Sequence, residues 1–354
     1  MDNFRKRAVF VVLISVVSIL LLWLTWTARY VLLLLFASCI GALILSTFTN
    51  WLRSCIPMRR GIAFAIVITI IGLMIALLTW TRGSLLLQQL GDLQSYIPSA
   101  VRQIHSRLQS ETWGRWLLAQ IEDSEQLARG ASFIFSGIRG AMYLTGAAIA
   151  AMFLITVSSL YFGAEPDLYL RGVRRIVPET YRSIFEDCLI SVTKTVRAWL
   201  LARLLSMTAI GALISCGLFV MGVPLAGTLG VIAALLTFVP NIGPILSVVP
   251  AALLAFAISP AKGIFTILLF CLAHFLEGNL VSPLVDRGIV KLPPSLTLTV
   301  QLLLGSIAGA FGVALAAPLT AVALSVLNVV LPPEKSRPAP SGSVRKLPQR
   351  VQAL

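Results

Sequence analysis

Long apolar runs, separated by short basic turns or longer polar stretches, set the plan of this chain. Arg5-Lys6-Arg7 is followed by apolar residues to about Thr27, and further runs cover about Tyr30–Thr49, Gly61–Thr81, Ala141–Phe162 and a stretch ending near Gly222. A helix needs about 20 apolar residues to cross a bilayer, so the pattern predicts helices that cross a membrane repeatedly. The first run begins as a signal peptide does, but its length and the span behind it favour a retained helix. Trp23, Trp26 and Tyr30 around Arg29 read as an interfacial belt.

Two polar stretches interrupt the runs. In residues 82–139, Asp92, Glu111, Glu122, Asp123 and Glu125 stand against six arginines. There Pro98-Ser99 reads as a helix start, and Val101, Ile104 and Leu108 repeat at helical spacing. With Trp113 and Trp116, these residues predict an extracytoplasmic amphipathic helical segment, on the membrane surface or packed on the bundle. Residues 164–203 carry Arg171, Arg174, Arg175, Arg182, Lys194, Arg197 and Arg203, which places them in the cytoplasm. Ile184, Leu189, Val192, Val196 and Leu200 predict one long helix running from there into the next span.

Two apolar blocks follow, about Leu225–Ile258 and Leu296–Leu331, with an ordinary span (Ile264–Val281) between them. As straight helix each block would measure ~50 Å, against a hydrocarbon core of ~30 Å. Each also holds breakers: Pro240, Gly243 and Pro244 in one, and Gly305, Gly309, Gly312 and Pro318 in the other. Proline removes a backbone donor and clashes one turn back, and freed groups at membrane depth survive only inside protein or beside a polar cavity. The tail is basic (Lys335, Arg337, Arg345, Lys346, Arg350) and hence cytoplasmic, so the number of crossings after residue 222 is odd. Both blocks therefore cross as broken helices, or both fold back as re-entrant hairpins. The chain divides into N-terminal helices (1–81), the amphipathic segment (82–139), a fourth span (140–163), the basic cytoplasmic segment (164–203), a transport core (204–332) and a disordered basic tail (333–354). Both termini are expected in the cytoplasm.

Composition supports this reading and narrows the chemistry. Apolar residues make up 58% of the 354, charged residues 12%, and mean hydropathy is +0.92. A net charge of +14 would suggest nucleic acid in a soluble chain, but here the basic residues cluster beside spans, so no nucleic-acid partner is expected. Five scattered cysteines and two histidines offer neither a disulfide framework nor a metal site. No HExxH, GxSxG or P-loop occurs, so neither an enzyme, a cofactor nor ATP-driven transport is expected.

Paired interrupted segments point to a transporter site near the bilayer midplane. Around the first break, Asn241 offers a donor and an acceptor, flanked by Thr237 and Ser247; it serves as a ligand, as a helix cap, or as both. With Pro240, Gly243 and Pro244 these form the candidate substrate-binding set. Asn279 and Gln301 are further candidates, or interhelical hydrogen bonds. Glu277 is a carboxylate within a predicted span and His274 shares its helical face, a natural relay for protons or ions. Alternatively Glu277 reaches headgroups or pairs with Arg287. Gly305, Gly309, Gly312 and Pro318 suit packing or hinge motion.

The ordered set Val239-Pro240-Asn241-Ile242-Gly243-Pro244, Val249-Pro250-Ala251, Leu276-Glu277-Gly278-Asn279-Leu280-Val281-Ser282-Pro283, Val290-Lys291-Leu292-Pro293 and Ala317-Pro318-Leu319, with Arg175-Ile176-Val177-Pro178 upstream, resembles the AI-2E transporter family. The likeness covers most of the chain. It implies an all-α polytopic protein of the bacterial inner membrane with about eight transmembrane segments, two of them discontinuous or re-entrant, assembled as a homo-oligomer among membrane lipid. It implies transport of a small molecule or cation: export of an autoinducer-2-like quorum-sensing signal or, alternatively, sodium or lithium exchange for protons through Glu277. A non-transporting membrane scaffold is the remaining alternative. Two positions depart from the family pattern: Asn241, where an aromatic is common, and Ala202-Arg203, where Gly-Gln is common.

Overall fold

The computed structural model describes residues 26–110, 146–281 and 293–331, with scattered positions between 12 and 24. Among the described residues every regular element is a helix. In chain order these are α1 (Arg29–Cys55), α2 (Arg60–Leu78), α3 (Ser84–Ser110), α4 (Gly146–Ala164), α5 (Pro166–Ile176), α6 (Arg182–Val220), α7 (Ala226–Thr237), α8 (Ile242–Ile258), α9 (Pro260–Leu276) and α10 (Pro294–Val330). Single π-helical turns, Thr79–Gly83 and Glu277–Val281, join α2 to α3 and extend α9. Prolines mark three of the helix starts, at Pro166, Pro260 and Pro294, where the missing donor would be unpaired anyway. Ser259 caps α9, accepting from the Lys262 amide at 3.2 Å.

Among the described residues five helices are long and apolar enough to cross a membrane, six if the bent pair α4–α5 makes one span; α7 and α8 are shorter and apolar. The chain is thus an all-helical, multi-pass type of molecule. The first predicted span is described only at scattered positions from residue 12 on, each of them helical, while residues 111–139, with Trp113 and Trp116, and the tail lie outside the described residues. Outward faces carry bare hydrophobics such as Leu73, Leu77, Phe153 and Phe265, as lipid contact requires.

Two packing units carry the fold. In the first, α1 packs along α4 and α2. Ser159 donates to the Ser38 carbonyl at 3.0 Å, and a Cβ on Gly163 would strike Phe64. The close approach falls there rather than at the small-residue run Gly146–Ala151, where Ile149 and Ala150 are exposed. In the second unit α6 is a central post, packed against α7, α9 and α10. Its apolar core joins Ile210, Ile214 and Leu218 to Leu229, Ala233, Ala251, Leu254 and Phe270.

Helix α3 adds Leu93 and Ile97 to that same core, and Thr228 donates to the Gln89 side chain. It runs unbroken past Pro98-Ser99, which is therefore not a helix start. Packing against α7 and α8 outweighs the one donor that Pro98 lacks. The buried face is Leu93, Ile97 and Ala100, while Val101 is exposed.

Candidate functional site

The first break lies between α7 and α8, at Phe238–Asn241. The last turn of α7 tightens, with Phe238 and Val239 amides donating to Leu235 and Leu236 carbonyls. Pro240 has no amide to continue it. Asn241 then adopts φ +66°, ψ −45°, and the Ile242 amide closes a three-residue turn on the Pro240 carbonyl at 2.8 Å. Asparagine tolerates positive φ better than other non-glycine residues. Its side chain makes no cap hydrogen bond and is exposed, so the capping role considered for it is not what holds the turn. Pro244 sits in the first turn of α8, where no donor is needed.

Gly243 shows how sharply the chain reverses. A Cβ there would overlap the Leu236 carbonyl, seven residues earlier, whereas a straight helix would separate the two by ~10 Å. The second break repeats the device inside α10. Ala308 (φ −131°, ψ 15°) and Gly309 (φ 62°, ψ −148°) leave helical geometry, and a Cβ on Gly312 would overlap the Leu304 carbonyl. A Cβ on Gly305 would lie 2.8 Å from Val313. Pro318, expected among the breakers, lies buried within a continuous helical arm instead, as Pro250 does in α8. Their surroundings absorb the lost donor, so neither bends the chain back.

The two breaks touch. Gln301, fully buried on the first arm of α10, donates Nε2–H to the Pro240 carbonyl at 2.9 Å. Its Oε1 is also buried and has no partner among the described residues. Phe238 packs edge-on against Trp199 of α6, with ring centroids 5.8 Å apart, in a cluster that includes Ala308, Phe311 and Leu315. The hydroxyls of Thr237 and Ser247 are spent on their own helices, bonding Ala233 and Pro244 carbonyls at 2.7 and 3.0 Å. Asn279 is exposed and likewise bonds back, to the Phe275 carbonyl. The polar groups left at the junction are therefore the Asn241 amide and Gln301 Oε1.

Glu277 has an ion-pair partner that sequence spacing did not suggest. Its Oε1 lies 3.0 Å from Nη1 of Arg203, and the side chains are 15% and 16% exposed. The two residues are 74 positions apart, on α6 and on the π-helical turn after α9. Helical rise explains the meeting. The C-terminal end of α6 approaches the start of α9 where Gly222 adjoins Lys262. Arg203 is 17 residues before Val220, and Glu277 is 17 residues after Pro260, so both lie ~26 Å down their helices. That equality was the available signal. His274 does not join the pair: Nδ1 bonds the Phe270 carbonyl at 2.8 Å, and Nε2 is buried without a partner among the described residues. Arg287 lies outside the described residues.

Arg203 also belongs to the junction, one turn along α6 from Trp199 and so beside the first break. Helix α7 approaches the post through small residues, since a Cβ on Gly230 would overlap the Ser215 hydroxyl and one on Gly211 would lie 2.8 Å from Ala234. This fixes the hairpin tip at the level of Arg203. Among the described residues no group of three or more His, Cys, Asp or Glu could hold a metal ion.

The profile described as AI-2E family transporter matches residues 10–331. YueF of Bacillus subtilis, named provisionally as a transport protein, is 28% identical over 279 residues, 73% of either chain. YrrI of the same organism, named in the same way, is 28% identical over 53% of this chain and 52% of its own. YhhT of Escherichia coli, again a provisional transport protein, is 22% identical over 79% of both chains.

Proposed function

The chain belongs to the AI-2E transporter family, and from that premise we propose that it is a secondary transporter whose solute passes at the junction of the two breaks. The observation that carries this reading is the Gln301–Pro240 contact, with an unpaired buried acceptor beside it. A buried polar atom without a partner costs free energy unless something visits it. Helices α7 and α8, of 12 and 17 residues, measure ~18 and ~26 Å. With the reversal at Gly243, these lengths favour a re-entrant hairpin over a broken crossing, and the shared parity extends this to α10. Together with the remaining spans this gives about eight membrane-inserted segments, with both termini in the cytoplasm of a bacterial inner membrane. Rocking of one hairpin tip against the other would expose the junction to each side in turn.

A solute rich in hydroxyls, such as an autoinducer-2-like signal, matches the neutral donor–acceptor character of Asn241 and Gln301, and the direction proposed is export. The test is flux in proteoliposomes with and without ion gradients. Gln301→Leu, which keeps bulk and removes both amide functions, is expected to lower the rate at least tenfold at matched protein insertion, a loss equivalent to ~1.4 kcal/mol of one hydrogen bond. Wild-type flux in both Gln301→Leu and Asn241→Ala would dismiss the site.

A second reading, exchange of sodium or lithium for protons, has one specific observation in its favour: Glu277 is held against a fixed cation inside an apolar span. A carboxylate that alternates between Arg203 and a proton could couple ion movement to the hairpins. Sodium-driven proton movement that survives Glu277→Gln would exclude this route.

A further inference from the structure

We propose that α5 (Pro166–Ile176) is an in-plane membrane helix that binds the anionic phospholipid headgroups of the leaflet at the α4 C-terminus. At Glu165 (φ −127°, ψ 62°), kept out of helical geometry by the proline that follows, the chain turns through 85° between α4 and α5. A helix at that angle to a spanning helix runs along the membrane surface. The turn is tied down by Arg60, whose Nη2 donates to the Gly163 carbonyl at 3.3 Å.

The side chains of α5 divide into two faces. Leu168, Tyr169, Val173 and Ile176 fall within one arc at 100° per residue, Arg171, Arg174 and Arg175 share another with Asp167, and the half-buried Leu170 lies between Val173 and Arg174. The four residues of the apolar arc are exposed, Ile176 by 83%, and no buried residue occurs anywhere in the helix. Tyr169 gives the direction of the apolar face. Its ring meets that of Phe162 edge-on at 4.7 Å, and Phe162 is in the last turn of α4. The apolar arc is therefore turned back towards the layer that α4 crosses, and the arginines face away from it. Arg174 is partnered by Glu186 of α6 at 3.5 Å, which fixes the helix beside the post. Arg171 and Arg175 make no ion pair among the described residues. Exposed apolar residues aimed into hydrocarbon, with arginines above them, are what an interfacial helix presents to acidic lipid. Charge complementarity selects a lipid surface over a second copy, because a copy would set arginines against arginines.

The experiment is hydrogen–deuterium exchange of the whole protein in nanodiscs of phosphatidylcholine alone and of phosphatidylcholine with phosphatidylglycerol. Amides 167–176 are expected to exchange more slowly with phosphatidylglycerol present, by about fivefold per free arginine and so about 25-fold for the two. Raised salt should erase this gain, and so should Arg171→Gln with Arg175→Gln. Leu168→Asn with Ile176→Asn should raise exchange in both lipids. Equal exchange in the two lipids would overturn the proposal, as would protection that follows the number of copies per disc rather than the lipid. A collapse of α5 in the variants is recognised by comparing α4 and α6 peptides, which should be unchanged. None of these readouts depends on transport, so the outcome stands apart from the solute pathway.

Discussion

Removing one member of the Arg203–Glu277 pair gives the sharpest test of the junction. The two charged atoms are 3.0 Å apart and each side chain is about five-sixths buried. Loss of one partner strands the other charge in a poorly solvated place, which in buried pairs costs about 3–5 kcal/mol. The residual exposure lets water relieve part of that, so the lower end applies, about 3 kcal/mol for Arg203→Gln and for Glu277→Gln alike. The double variant leaves no charge at all, and replacing a buried pair by neutral groups is often close to neutral. It should therefore cost no more than either single change. Reversible unfolding by SDS in mixed micelles, followed through the tryptophan fluorescence, measures all three differences. A double variant whose loss equals the sum of the singles would refute the pairing, as would singles within about 0.5 kcal/mol of wild type.

Three further expectations test the two breaks and the α1–α4 contact. Gly309 holds φ 62°, ψ −148°, a region nearly closed to side chains, so Gly309→Ala should destabilise by about 1–3 kcal/mol in the same unfolding measurement. In Gly243→Ala the new methyl meets the Leu236 carbonyl, and about 1–3 kcal/mol of overpacking is expected, whereas Gly72→Ala, with open space around it, should be neutral or slightly stabilising. Ser159→Ala removes the bond to the Ser38 carbonyl and should weaken the α1–α4 contact by about 1 kcal/mol, read as a lower unfolding midpoint, without altering solute flux.

Much of the architecture was legible in the chain because hydrophobic run length is a local signal. Apolar runs gave α1, α2, α4 and α9, with the described ends shifted by one to six residues. The breaks were harder, because a proline reports a missing donor but not whether the surroundings replace it. Pro240 and Pro244 look no different in the sequence from Pro250 and Pro318. What separates them is the neighbouring backbone: Asn241 and Gly309 reach positive φ, whereas the residues around Pro250 and Pro318 stay helical. The face of α3 was missed for a related reason. Its partners, Ile210 to Phe270, come from four later helices, and no spacing within residues 84–110 encodes them.

The pairing of Glu277 changes how the site is understood. Read along one helix, the carboxylate has His274 as its neighbour and a proton relay as its natural role. Read across the fold, His274 turns to its own backbone and Glu277 meets Arg203, one of the two positions at which this chain departs from the family pattern. The other departure, Asn241, lies three residues past Phe238, whose ring packs on Trp199, and Trp199 is one turn from Arg203. Both departures thus fall on the same junction. An aromatic at 241 would occupy space that Asn241 leaves to a polar amide, and a glutamine at 203 would leave Glu277 without its counter-charge. The two changes act in the same sense: Asn241 offers a polar amide where an aromatic would not, and Arg203 balances the charge of Glu277. A junction that is polar but electrically balanced suits an uncharged solute better than a bare cation, and this favours the solute-export reading over ion exchange.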